Sequence, residues 1–285
     1  MAPHDSTVHE RLHSATNSSY GTHRQIGDAV VAAYQREDAG ALADLLEVRP
    51  AQRFVIETVT SSGLAPEQSQ VLDVGCSSGY LTAFFLTAGY NAIGVDVSPT
   101  AVSAAAARFG PHFHAPDSSE VEAMEPFDAI FHVGTVGCVD DPDSFIRRQL
   151  GQLRPGGLLA FNAPNAEAAR ARGLVWGVST PPPDLVTLFT PSFFTDRFAD
   201  IADVRVVIEK VRPGDELMRR LRRKRIVDPE PTSALLGQSQ RQRPPLVSRP
   251  GRSIVDAVAD LGARARLLRS PAAEYGIHVT MRRRG

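Results

Sequence analysis

Cysteine is scarce in this sequence: Cys76 and Cys138 are the only two among 285 residues. That argues against a disulfide framework and points to a reducing, cytoplasmic setting. Long apolar runs are also missing. None approaches the ~20 residues that a membrane-crossing helix needs, so no membrane span is expected. The opening "MAPHDSTVHERLHSATNSS" lacks the apolar core of a signal peptide. Aromatic residues make up 7% of the chain, with a single tryptophan. Nor is there a net excess of charge, the formal balance being −1.

What is present is enough apolar material, 42% of residues, to bury a full core. The core can serve one large domain or one domain with appendages. The near-zero balance also hides an asymmetry. Residues 205–285 hold 19 Lys and Arg against 8 Asp and Glu, while residues 1–204 hold 12 against 24. Such a split marks either an anionic partner for the C-terminal part or an internal match between oppositely charged pieces.

Residues 24–61 carry apolar side chains at helical spacing (Ile26, Val30, Ala33; then Leu42, Leu45, Leu46), which predicts two or three helices. An alternation follows. "QVLDVG" (70–75), "NAIGVDV" (91–97), "HFHA", "FDAIFHVG" (127–134) and "LLAFNAPN" (158–165) read as strands. Between them, "YLTAFFLTAG" (80–89) reads as a helix stopped by Gly89. "SPTAVSAAAARFG" has Ser98 as N-cap, Pro99 in the first turn and Gly110 as stop. "DPDSFIRRQLGQL" (141–153) is a helix closed by a turn at "RPGG". Strands alternating with helices predict an α/β fold with a mostly parallel sheet covered on both faces. Two further strands are expected at "DVRVVIEKV" (203–211) and "GIHVTMRR" (276–283). Between them runs a stretch that opens with "RRLRRKR", continues through Pro-, Gln- and Ser-rich sequence, and closes with a helix at "SIVDAVADLGARARLLR".

The stretch "VLDVGCSSGYL" (71–81) carries the chemistry. A strand, a glycine-containing turn and a helix together direct backbone N–H groups at a ligand. Gly75 and Gly79 allow close approach of the main chain. Asp96, 21 residues after Gly75 at the end of the next strand, is placed to take both hydroxyls of a ribose. A dinucleotide fingerprint needs glycines at 75, 77 and 80, but Ser77 and Tyr80 stand at two of those positions. Asp73 would repel a pyrophosphate and attract a cationic amino-acid end.

These motifs, with "FDAI" and "LRPGGLL" following in order, resemble the class I S-adenosylmethionine-dependent methyltransferases. The likeness is nearest to the group containing ubiquinone-biosynthesis O-methyltransferases and small-molecule methyltransferases. The resemblance implies a Rossmann-like sheet of seven strands with an antiparallel last strand. It also implies an N-terminal tail and helical cap (1–50), a core (51–212), an Arg-rich insertion (213–269) and a returning last strand (270–285).

S-adenosyl-L-methionine is the implied cofactor. Carried over by position, Asp73, Gly75, Cys76, Ser77 and Gly79 line its methionine and ribose end. Asp96 with Val97 holds the ribose diol and adenine edge, Asp117 and Ser118 match the adenine-side acid, and His132 with Val133 ends the fourth strand beneath it.

The chain departs from the ubiquinone group where those relatives carry Glu-His, for Gly137 and Cys138 stand there. That removes the usual acidic/imidazole pair and any metal-assisted step built on it, so no metal is expected. A second relative's "W…PPxH…F" pattern is met by Trp176, Pro181, Pro182, Pro183 and Phe189, with Asp184 in the His position. His132 and Asp184 are then the candidate bases, and Trp176 a candidate wall of the acceptor pocket. A packed histidine and a core tryptophan are the plain alternatives. Tyr20 and Tyr34 belong to the segment that caps the pocket in relatives.

The expected activity is methylation of a small molecule at a hydroxyl, with sugar-containing or other specialised metabolites as the substrate class. Methylation at nitrogen or carbon, a non-catalytic binding protein of this fold, and an RNA methyltransferase are the other readings. Nucleic acid is the weakest partner, since no aromatics interleave "RRLRRKR" for stacking. The sequence leaves the oligomeric state open.

Overall fold

The structure, a computed structural model, describes residues 21–47, 49–171, 185–210 and 274–285. Three helices come first: α1 (Gly21–Gln35), α2 (Ala39–Leu46) and α3 (Pro50–Thr60). Each has a local cause. The Asp38 carboxylate caps α2 by accepting from the Ala41 N–H at 2.9 Å, and Pro50 occupies the first turn of α3. Tyr34 ties this layer to the core. Its hydroxyl donates to the Phe109 carbonyl at 2.9 Å, and its ring meets Phe109 edge-on.

The alternating section follows its predicted order: β1 (Gln70–Val74), α4 (Tyr80–Thr87), β2 (Asn91–Val95), α5 (Pro99–Phe109), β3 (Phe113–His114), α6 (Ser119–Met124), β4 (Phe127–His132), α7 (Pro142–Gln152) and β5 (Leu153–Pro164). Ser98 accepts from the Ala101 N–H, Pro99 opens α5, and Gly110 ends it at φ 91°. The short α6 is an element the sequence reading lacked. "RPGG" differs too, for β5 already begins at Leu153. Leu153 pairs with Phe127 and Leu158 with Ala129, so the four residues between them bulge out of the ladder rather than preceding the strand. Next come α8 (Ala166–Ala171), α9 (Pro191–Phe198), β6 (Ala202–Lys210) and β7 (Glu274–Arg283).

The seven strands lie in the order β3-β2-β1-β4-β5-β7-β6. Pairs from β3 through β5 are parallel, while β7 runs antiparallel to β5 with Phe161 opposite Val279. The strand order reverses between β1 and β4. Open sheets of this kind bind ligands in the crevice beyond the carboxyl ends of such strands.

Two apolar layers sandwich the sheet, and period-two alternation assigns residues to each. Val71 and Phe131 pack with Leu42, Val55, Phe85 and Phe109 on one face. Leu72 and Ile130 pack with Ile146, Phe161, Phe194 and Ile277 on the other.

Met1–Glu209 and Gly276–Gly285 group into one compact unit; the other, Lys210–Tyr275, is described only at the strand ends 210, 274 and 275. The predicted insertion and its helix therefore lie outside the described residues, as do Tyr20, Trp176 and Asp184. Among the described residues no helix is long and apolar enough to cross a membrane.

Candidate functional site

A cavity of about 740 Å³ opens at the switch point. Its walls come from the first turn of α3, the β1–α4 turn, the ends of β2 and β4, and the loops after them. The volume falls within the range of small-molecule and cofactor sites.

The β1–α4 turn is held from below. The N–H groups of Gly75 and Cys76 both donate to the Val95 carbonyl, at 2.8 and 3.0 Å. Gly75 takes φ 76°, and a Cβ there would come within 2.5 Å of the Thr135 hydroxyl. Ser77 takes φ 47°, a conformation that favours glycine. The backbone thus keeps a glycine-type turn although the side chain has changed. Ser77 remains in place because its N–H donates to the Asp96 carboxylate at 2.9 Å.

Gly79 has a packing part as well. It stands outside the cavity wall, and a Cβ there would lie 2.6 Å from the Phe113 ring and 3.0 Å from Ala105. Its bareness makes room for packing between α4, α5 and β3. At φ 76° an alanine would also be strained. Gly79→Ala is expected to lower unfolding free energy by about 2 kcal/mol, read by urea denaturation. An unchanged midpoint would contradict the packing role.

Two carboxylates meet at the cavity. Asp96 is 5% exposed and accepts from the backbone N–H groups of Ser77 and Ser98, each at 2.9 Å. The acid placed for a ribose thus already has two partners in the fold. A carboxylate has about four lone-pair sites, so capacity for two hydroxyls remains. Asp73 is 3% exposed and accepts one hydrogen bond, from the Thr82 hydroxyl at 2.8 Å. Burial pushes its pKa up to about 7, with the Asp96 charge adding to the rise and Thr82 opposing it. Burial also holds the Cys76 thiol well above its ordinary value, as do the two neighbouring carboxylates. Cys76 lines the cavity as a small neutral group.

Val97, Asp117 and Val133 also line the cavity. Asp117 is ion-paired with Arg148 of α7, both largely exposed, which puts that pair at the rim. Ser118 starts α6 and does not reach the wall. Tyr34 does not reach it either.

His132 requires a correction as a candidate base. The structure buries it completely, with its ring stacked 4.5 Å from Phe161 and edge-on to Phe145, behind the cavity wall rather than on it. Neither ring nitrogen has a hydrogen-bond partner among the described residues. Burial alone pulls its pKa down to about 3. It is a neutral packing residue.

Gly137, where the Glu of the acid/imidazole pair was sought, leaves no room for a side chain. A Cβ there would collide with Leu185 and lie 3.0 Å from Pro164. The segment after residue 184 is fastened to the same spot, as the N–H groups of Val186 and Thr187 both donate to the Gly137 carbonyl. Cys138 lines the cavity, its thiol 3.3 Å from the Gly134 carbonyl. No cluster of metal-ligating side chains occurs among the described residues.

Arg49, Gln52 and Thr135 line the cavity, and Thr82 supports Asp73 from behind it; the motifs did not single these four out. Thr82 had a readable signal, since a hydroxyl two residues into α4 can turn back onto the strand that precedes it. Arg49 and Gln52 had none, for they reach the cavity only through the packing of α3.

A methyltransferase-domain family profile matches residues 37–223. The chain belongs to this methyltransferase family. A ubiquinone biosynthesis O-methyltransferase of Nitrobacter winogradskyi is 31% identical over 34% of this chain and 39% of its own length. One from Rhodopseudomonas palustris is 28% identical over half of this chain and 64% of its own length. The chain thus matches well under two thirds of the first relative. A solved S-adenosylmethionine-dependent methyltransferase from Archaeoglobus fulgidus is 13% identical, covering 82% of this chain and 95% of that one, with a TM-score of 0.49.

The cofactor of this class is S-adenosyl-L-methionine, and the cavity fits it on three counts. Asp96 keeps acceptor capacity for a diol. Asp73 offers a carboxylate to a cationic end. The Gly75–Ser78 backbone lines the wall between them.

Proposed function

We propose that the protein is an S-adenosylmethionine-dependent O-methyltransferase of a small molecule, a sugar-containing or other specialised metabolite, working in the cytoplasm. One observation carries the cofactor half: Asp73 and Asp96, from the ends of neighbouring strands, face one cavity with the Gly75–Ser78 turn between them. The names of the curated relatives support oxygen as the methyl acceptor. The substrate class rests on the family resemblance.

The cofactor, when bound, supplies an electrophilic methyl group on a positively charged sulfur. The chain's part is mostly positioning. Asp96 fixes the ribose and, through Ser77, the turn itself. Asp73 balances the cationic end. Gly137, Leu185 and Pro164 close off the place where relatives carry an acid, so a base for the acceptor hydroxyl has to come from elsewhere. Asp184 is the remaining candidate in that role and Trp176 the candidate acceptor wall.

The test is binding followed by turnover. Calorimetry on the full chain is expected to give one site for S-adenosyl-L-homocysteine. Transfer of a labelled methyl group from the cofactor is expected to hydroxylated acceptors, scored by the acceptor atom modified. Binding without transfer to any acceptor would favour a non-catalytic protein of this fold. Absence of binding would defeat the proposal.

A further inference from the structure

The two edges of the sheet differ. β3 ends one side and is two residues long, whereas β6 ends the other and runs for nine. An edge strand offers a row of main-chain N–H and C=O groups to any strand that can pair with it, and short length or a proline normally blunts it. β6 uses neither device. Its sequence, "ADVRVVIEK", is rich in valine and isoleucine and contains no proline or glycine, the composition that favours strand pairing.

Its two faces are distinct. Val204 and Val206 pack on the apolar layer that holds Phe194 and Ile277. Asp203, Arg205 and Val207 stand on the other face and are exposed. Val207, at 43%, is one of the few large apolar side chains left in solvent. Asp203 is ion-paired with Arg284.

Charge decides which occupant fits this edge. The strand carries Asp203, Arg205, Glu209 and Lys210, so it balances itself. A second copy, laid antiparallel about a two-fold axis perpendicular to the sheet, keeps each face continuous, so odd positions meet odd positions. With the axis at Val207, Arg205 of each copy stands opposite Glu209 of the other, Val206 opposite Ile208, and Val207 opposite itself. Opposite charges directly across a strand pair favour the pairing, and like charges oppose it. An axis at Arg205 sets arginine against arginine, and one at Val206 sets Asp203 against Glu209. An axis at Val204 sets Asp203 against Arg205, but it shortens the overlap and calls on an acid that already serves Arg284.

We propose that β6 pairs with β6 of a second copy of this chain, antiparallel and centred on Val207, joining two sheets into one. The cavity lies at the ends of β1, β2 and β4, with β5 and β7 between it and this edge. The pairing therefore leaves both cavities open, and it stands independently of the methyltransferase reading. A contact of one strand edge falls at the small end of specific interfaces, so the dimer dissociates on dilution.

Sedimentation velocity on the full-length protein, over a dilution series, tests this. Wild type is expected to pass from dimer to monomer as it is diluted. Arg205→Glu sets acid against acid at both symmetric positions and is expected to weaken the dimer at least tenfold. Glu209→Arg, which sets cation against cation, is expected to do the same. Combining the two restores opposite charges in reversed order, and dimer affinity is expected to return to within about threefold of wild type. Val207→Lys places like charges on the axis and is expected to abolish the dimer. Unchanged far-ultraviolet circular dichroism reports an intact fold in each variant. A wild type that is monomeric at every concentration overturns the proposal. So does a dimer that all three single variants leave intact. Single variants that dissociate without rescue in the double variant overturn the register, and the proposal with it.

Discussion

Asp96→Ala is expected to weaken binding of S-adenosyl-L-homocysteine about a hundredfold or more. Two hydrogen bonds from a ribose diol to a buried carboxylate are worth roughly 1.5–3 kcal/mol each, and about 1.4 kcal/mol is a factor of ten. The loss has a second source. The same carboxylate accepts from the N–H groups of Ser77 and Ser98, so its removal also frees the turn that lines the cavity. Ser77 in particular would lose the bond that holds it at positive φ. Asp96→Asn separates the two contributions. Its amide oxygen can still accept from one backbone N–H, so the turn is partly kept while charge-assisted binding is lost. Calorimetry is expected to place it between wild type and Asp96→Ala. Unchanged affinity in Asp96→Ala would defeat the assignment of this acid to the cofactor.

The alternation of strands and helices was legible because each element carries its own local cause. Ser98-Pro99 opens α5, Asp141-Pro142 opens α7, and glycines close the turns. Acids at 73 and 96 were legible through spacing alone. What spacing could not separate was the reason for each glycine. Gly75 and Gly79 look equivalent in the sequence, yet one faces the ligand cavity and the other the Phe113 ring. Ser77 was legible as a departure from a dinucleotide fingerprint, but not as a residue whose backbone still adopts the left-handed form. His132 failed for a related reason. Its place at a strand end near the cofactor loop is a one-dimensional fact, and whether the ring faces the cavity or the core depends on the neighbours β5 and α7 supply. Gln52 and Arg49 are the converse. They lie more than twenty residues before Gly75, and nothing but tertiary packing brings them to its ligand.

The two buried titratable groups that sequence reasoning treated as site residues, His132 and Asp73, are expected to tilt the pH dependence of stability in opposite directions. His132 has a folded pKa of about 3, below the ~6.5 of an unfolded histidine. Between those values the unfolded chain binds the extra proton, so this group costs stability as pH falls from 6.5 toward 3. Asp73 has a folded pKa of about 7, above the ~3.9 of an unfolded aspartate. Between those values the folded protein binds the extra proton, so this contribution is full at low pH and is lost as pH rises toward 7. At about 1.4 kcal/mol per pH unit for each group, the two slopes nearly offset one another from pH 4 to 6.5. Removing either group should therefore expose the other. Urea denaturation of Asp73→Asn, whose amide can still accept from Thr82, is expected to show stability falling steeply as pH drops from 6.5. His132→Phe, which stacks on Phe161 and deletes two unpartnered ring nitrogens, is expected to be more stable than wild type at pH 5, with the protonation-linked part of that gain lost as pH rises to 7. The signature is the difference between the two variants, since ordinary surface carboxylates titrate alike in both. Parallel pH profiles would show that neither the burial of His132 nor that of Asp73 governs ionisation in this fold.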